Sequence, residues 1–180
     1  MDRILGSMLE LMDDVVNEMA SVKIESPKFI DDGRMRRARF DNPKRIHACI
    51  LKATCMVNCL HATEILISHG WLHEAGTLIR QLNEIVDDLH FLCANRFDEE
   101  ETDHQRSYLE EFFVEMFDDP TDAVGTVRAW KPVPRRKVHS ANARFLASGG
   151  IGDPSSNMDM TNSLHKMYSG YPHASYATLM

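Results

Sequence analysis

The sequence predicts an all-α protein, an antiparallel helical bundle of four to five helices built on one long central hairpin. Two apolar series carry this reading, one on each side of His69-Gly70. In the first, apolar side chains fall at Ile46, Ile50, Ala53, Val57 and Leu60. In the second they fall at Leu72, Ala75, Leu78, Leu82, Ile85, Leu89 and Leu92. Steps of three and four residues keep one face of a 3.6-residue helix apolar. A third series, Ile4, Leu5, Met8, Leu11, Met12, Val15, Met19 and Val22, marks a helix from about Asp2 to Val22.

Each element has start and stop signals. Ser26-Pro27 and Asp31-Asp32-Gly33 mark an irregular connector after the first helix. Asn42 suits an N-cap and Pro43 an N1 position for the second helix, and Gly70 can close it in a left-handed turn. The third helix is expected to end near Phe97. Two capping boxes, Asp98-x-x-Glu101 and Thr102-x-x-Gln105, offer a start for a fourth helix. Its apolar face is Tyr108, Leu109, Phe112, Phe113, Met116 and Phe117, and Asp118-Asp119-Pro120 stops it. Residues 120–158 read as an irregular basic excursion containing Trp130 and a short helix over Val138–Ala147. Gly149-Gly150-Ile151-Gly152 lacks the strand-before, helix-after setting of a phosphate loop and, with Asp153-Pro154-Ser155-Ser156-Asn157, reads as a flexible stretch. A last helical segment begins near Asp159. The chain stops at Met180 inside a helical pattern, so either that helix is short and docked or a longer natural protein is cut here.

The chain is expected to be a single domain over 1–180, with 43% hydrophobic residues supplying one core. No run approaches the roughly 20 apolar residues of a membrane span. Cys49, Cys55, Cys59 and Cys93 form no CxxC pair, which argues for reduced thiols in a cytoplasmic protein and against a zinc site. The net charge of −7 is unevenly distributed. Bases cluster in Arg34, Arg36, Arg37, Arg39, Lys44 and Arg45, and again in Arg128, Lys131, Arg135, Arg136, Lys137 and Arg144. Such segments either meet phosphate or lie over the acidic helices of the same chain.

On the third helix Leu78, Leu82, Ile85 and Leu89 define the core side, which leaves Arg80, Glu84 and Asp87 on the far face. Arg80 and Glu84 are one turn apart and can pair. Glu64 falls in line with the apolar stripe of the second helix, where a carboxylate needs a partner or a proton. His61-x-x-Glu64 and Asp87-x-x-His90 are similar to the carboxylate and histidine spacings of di-iron bundles. The first pair is in reversed order, and folding about Gly70 puts residue 61 beside residue 79. No metal or cofactor is therefore expected.

Asn58-Cys59-Leu60-His61-Ala62-Thr63-Glu64, Arg80-Gln81-Leu82-Asn83-Glu84 and Tyr168-Ser169-Gly170-Tyr171-Pro172-His173 resemble an uncharacterised bacterial all-helical family related to the HEPN superfamily. The resemblance covers about residues 44–97 and 160–180. It implies a helical bundle, a homodimer, and kinship with RNA-cleaving toxins and defence proteins. The superfamily's ribonuclease motif is an arginine, four to six residues, then a histidine. Here Lys166 stands six intervening residues before His173, and lysine lacks the planar fork that holds phosphate bidentately.

Three functions follow as expectations. The first is a HEPN-like module that acts by self-association or by binding RNA or a protein partner, in a bacterial defence or toxin–antitoxin context. The alternative is a metal-independent ribonuclease with His173 as general base, using Arg80 or Lys166 as phosphate partner and Glu84 beside them. The third is a carboxylate/histidine metal-binding bundle. Glu64, Lys166, Tyr168, Ser169, Arg135 and Arg136 are the candidate binding residues, and no membrane partner is expected. The C-terminal segment is expected to pack against the hairpin, burying Leu164, Tyr168 and Tyr171 and bringing Ser169 and His173 to Arg80 and Glu84.

Overall fold

The computed structural model describes residues 2–31, 36–113 and 133–168. Among them run six helices: α1 (Asp2–Lys23), α2 (Arg45–Ser68), α3 (Leu72–Leu92), α4 (Asp103–Phe113), α5 (Arg135–Ser148) and α6 (Pro154–Tyr168). The fold is all-α, with one helix more than the sequence patterns suggest. The α2–α3 hairpin is its centre. α1 and α4 both contact α2, and the α5–α6 pair packs against α3.

Three local expectations change. Residues 24–44 are not wholly irregular, because β1 (Lys28–Asp31) and β2 (Arg36–Arg39) pair as an antiparallel hairpin, with Lys28 opposite Arg39 and Asp31 opposite Arg36. Strands of four residues are too short to leave a periodic signal. The N-cap of α2 is Lys44 rather than Asn42, and its N–H donates to Nδ1 of His47 at 3.0 Å. That imidazole fills the place glutamate takes in a capping box. The excursion expected over 120–158 is helical from Arg135 onward, apart from a turn at Gly149–Asp153.

The two helical turns are closed by glycine. Gly70 adopts φ +78°, and the Trp71 N–H donates to the Leu66 carbonyl at 2.9 Å, ending α2 in the left-handed cap its sequence predicts. Between α5 and α6, Gly152 adopts φ +62°, and a Cβ there would lie 2.7 Å from Asn157 Oδ1. Asn157 is buried and donates through Nδ2 to the Ile151 carbonyl at 2.7 Å. Asp153 caps α6 by accepting the N–H groups of Ser155 and Ser156 at 2.9 and 3.1 Å, with Pro154 as the first helical residue.

The apolar core lies at the end of the hairpin away from Gly70. Ala48 and Cys49 of α2, Phe91 and Leu92 of α3, Leu109 of α4 and Val138 of α5 form it, with Tyr108, Phe112 and Phe113 packed around them. Cys49 and Cys93 face each other there, Sγ to Sγ 4.0 Å, as free thiols. One polar side chain joins α3 to α4. α3 ends at Leu92, short of Phe97, and its last carbonyls need donors. Gln105, almost fully buried, donates to the Phe91 carbonyl at 2.9 Å and to Asn95 Oδ1 at 2.7 Å. Its Oε1 accepts the Thr102 N–H at 3.0 Å while Thr102 Oγ1 accepts the Gln105 N–H at 3.2 Å, so the second of the two capping boxes forms.

α2 meets the length and composition of a membrane span, contrary to the reading that no segment does. Lys52, in its first third, is tied to Asp88 of α3 at 2.8 Å, and α1 and α3 lie against the helix.

Replacing Gln105 by Ala leaves buried α3 carbonyls without donors and removes half of the capping box. Urea unfolding should show a loss of about 1–3 kcal/mol. A change within about 0.5 kcal/mol, the usual range for a surface site, would show that water substitutes for the amide.

Candidate functional site

α3 carries two adjacent acids in its C-terminal half, Asp87 and Asp88, and both are buried. Neighbouring residues on a helix point about 100° apart, so the two carboxylates face different partners. Asp87, which the apolar pattern sets on the far face of α3, is therefore on a covered surface. That surface is covered by α5 and α6; the sequence led to the expectation of a C-terminal segment on the hairpin and gave no sign that α5 would dock there.

Asp88 faces α2, α4 and α5. Its Oδ2 accepts Lys52 Nζ at 2.8 Å and the Tyr108 hydroxyl at 2.8 Å, and its Oδ1 pairs with Arg135 Nη1. Burial and the Asp88 charge hold the Tyr108 phenol far above its ordinary pKa, so it stays a donor. Asp87 faces α5 and α6. Asn142 Nδ2 donates to its Oδ1 at 2.5 Å, and Asn142 Oδ1 in turn accepts His90 Nδ1 at 2.7 Å. The Oδ2 atom accepts His165 Nε2 at 2.9 Å. His139 Nε2 lies 3.4 Å from the same oxygen, and Arg135 Nη2 lies 3.6 Å from it. The rings of His139 and His165 are 4.5 Å apart between centroids.

Two buried charges need partners of good geometry or they destabilise the fold. Asp88 is fully paired. Around Asp87 the pairing is incomplete, because His139 Nε2 is buried and makes no hydrogen bond. Burial pushes the His139 imidazole below the ordinary histidine pKa; His165 and Arg135 act in the same direction and Asp87 against them.

The other expected site residues are placed as follows. Arg80 Nε pairs with Glu84 Oε1 at 3.2 Å on the half-covered side of α3, as their spacing predicts. Glu64 is half-buried, and the buried position beside it goes to Thr63, whose hydroxyl donates to the Cys59 carbonyl at 2.7 Å. Arg135 is drawn into the Asp87–Asp88 cluster, the intramolecular alternative for a basic segment, while Arg136 is exposed. Lys166 is exposed and Tyr168 half-buried at the end of α6. Ser169, Tyr171 and His173 lie outside the described residues, and so does the expected meeting of His173 with Arg80 and Glu84. Leu164 is half-buried on α6, which does reach α3.

The metal spacings foreseen on the hairpin do not assemble. His61 pairs with Asp13 of α1 at 2.8 Å, and His90 with Asn142. Asp87 instead meets His139 and His165, two residues that sequence reasoning passed over. They stand 52 and 78 positions from Asp87 and share no motif with it. The only usable signal was the Asp87-Asp88 doublet inside an amphipathic helix.

Comparison with protein-family models, curated proteins and solved structures finds no match to this chain.

The depressed His139 pKa fixes the sign of a pH effect. Below about pH 6.5 the unfolded chain takes up a proton that folded His139 resists, so stability present above that pH is lost on acidification. Thermal unfolding between about pH 8 and 5 should fall more steeply for the wild type than for His139→Gln. Parallel curves would remove His139 as the origin. Asp88→Asn, which leaves Lys52 and Arg135 short of a carboxylate, should cost on the order of 3 kcal/mol in urea unfolding.

Proposed function

We propose that this protein is a HEPN-like helical module that works by association, with α1 as the surface through which two copies pair. One observation supports the reading. α1 meets α2 through buried Leu9 and through the Asp13–His61 pair. Its outer face nevertheless carries Met8, Leu11, Val15, Met19 and Val22, which are 38–67% exposed. Their spacing of three and four residues makes one stripe about 20 Å long, at 1.5 Å per residue. A helix apolar on both sides is suited to a second partner. An isologous pair would bury the same five side chains on each copy, each contributing on the order of 1 kcal/mol from its exposed part. The family resemblance points the same way, because it implies a homodimer.

Turnover at the residues first singled out has less support. Arg80 pairs through Nε with Glu84, whose carboxylate beside it opposes a phosphate. The test is light scattering over a wide concentration range. The wild type should be dimeric, and the double variant Val15→Glu, Met19→Glu should be monomeric with unchanged circular dichroism. A monomeric wild type at every concentration would sink the reading.

Binding of RNA by the same module draws on a separate feature. Lys137 and Arg144 of α5, with His104 of α4, border a cleft of about 430 Å³ between α3, α4 and α5. Exposed Arg136 adds to this basic face of α5. Phosphate contacts by such residues release counterions, so single-stranded RNA should bind with an affinity that falls steeply with salt. Lys137→Glu with Arg144→Glu should abolish that binding, and equal binding by the variant would exclude this cleft.

A further inference from the structure

We propose that Asp87, His139 and His165 form a binding site for one divalent transition-metal ion of the zinc class. Each ligand comes from a different helix: α3, α5 and α6 in turn. Each of Asp87, His139 and His165 offers a ligand atom such that the three lie within 4.8 Å of one another. Metal bonds of about 2.0–2.2 Å to nitrogen and oxygen place neighbouring ligand atoms about 2.9–3.4 Å apart, the lower value for octahedral and the upper for tetrahedral geometry. The two edges that run from Asp87 Oδ2 measure 2.9 Å to His165 and 3.4 Å to His139. Only the edge between the two imidazoles has to adjust, and turning one ring about its χ angles is a small movement.

The unsatisfied nitrogen is the decisive feature. His139 is more than nine-tenths buried, and its Nε2 points at Asp87 without a hydrogen bond. Asp87 Oδ2 bonds His165 at 2.9 Å and leaves His139 Nε2 unbonded at 3.4 Å, whereas a cation between them satisfies all three groups at once. A buried polar atom left unpaired costs about 1–3 kcal/mol, so the arrangement favours a ligand that takes up this lone pair.

The surrounding groups are arranged to support such an ion. Asn142 occupies Asp87 Oδ1 and leaves Oδ2 as the single coordinating oxygen. Two imidazoles and one carboxylate suit zinc, cobalt, nickel or ferrous iron and do not suit calcium or magnesium. Three protein ligands leave at least one position for water.

One charge opposes the ion. Arg135 Nη2 lies 3.6 Å from Asp87 Oδ2, although Nη1 of the same guanidinium is held by Asp88. The Arg135 side chain is 41% exposed and can turn towards solvent while Asp88 keeps Lys52 and Tyr108. Metal and Arg135 therefore compete for Asp87. Removing the guanidinium should tighten metal binding, an effect that a hydrogen-bonded cluster without an ion would not show.

The experiment is titration of the chelator-treated protein with zinc and, separately, with cobalt and magnesium. Zinc should bind one ion per chain and raise the melting temperature, and magnesium should do neither. Cobalt should give the visible bands of nitrogen and oxygen ligation, without the thiolate charge-transfer band that Cys49, Cys55, Cys59 or Cys93 would produce. His165→Gln, at the most exposed ligand, should weaken zinc binding at least tenfold, and Arg135→Gln should tighten it. Zinc affinity unchanged in His165→Gln, a thiolate band, or the absence of stoichiometric binding by folded wild type would each overturn the site. These outcomes are independent of whether α1 pairs two copies.

Discussion

The carboxylates of Asp87 and Asp88 are the constraint on which the arrangement of helices depends. Sequence neighbours on one helix cannot share a face, so the pair reaches in two directions from α3. Lys52, Tyr108 and Arg135 bring α2, α4 and α5 to Asp88; Asn142, His139 and His165 bring α5 and α6 to Asp87. Among the described helices only α1 has no residue in this cluster. A pair of buried charges whose partners together come from four other helices selects one packing, because any slip of a helix leaves a charge unpaired in a poorly solvated interior.

The apolar core and the polar cluster divide the work along α3. Phe91 and Leu92 seal the end near α4, where Gln105 also supplies donors to the helix carbonyls. One turn earlier the contacts become ionic, and the α5–α6 pair is held largely by them, with Val138 and Ala143 as its buried apolar anchors. An interface of this composition is specific in register but responsive to protonation. Burial, which holds the His139 imidazole below the ordinary histidine range, is the source of that response.

Two features of the surface stand apart from this cluster. The outer stripe of α1 is apolar without a covering element among the described residues. The exposed side of α5 is basic, even though its inner side contributes Arg135 to the acidic pair. The same basic segment thus serves two purposes according to which way each side chain faces on the helix.

The sequence by itself determined the helical class, the hairpin about Gly70, the Thr102–Gln105 capping box and the Arg80–Glu84 pair. All of these are set by residues within a few positions of one another, through periodicity, caps and φ > 0 turns. It misplaced Glu64 by one step of the stripe, because stripes on a helix flanked by both α1 and α3 merge and the buried position fell to Thr63. Only the tertiary structure decided that Asp87 is buried and that His139 and His165 meet it. Those contacts join residues on three helices, and the α5–α6 pair is held by hydrogen bonds and charges, which carry no periodic signal. A helix whose docking face is polar looks, in sequence, the same as one that faces water.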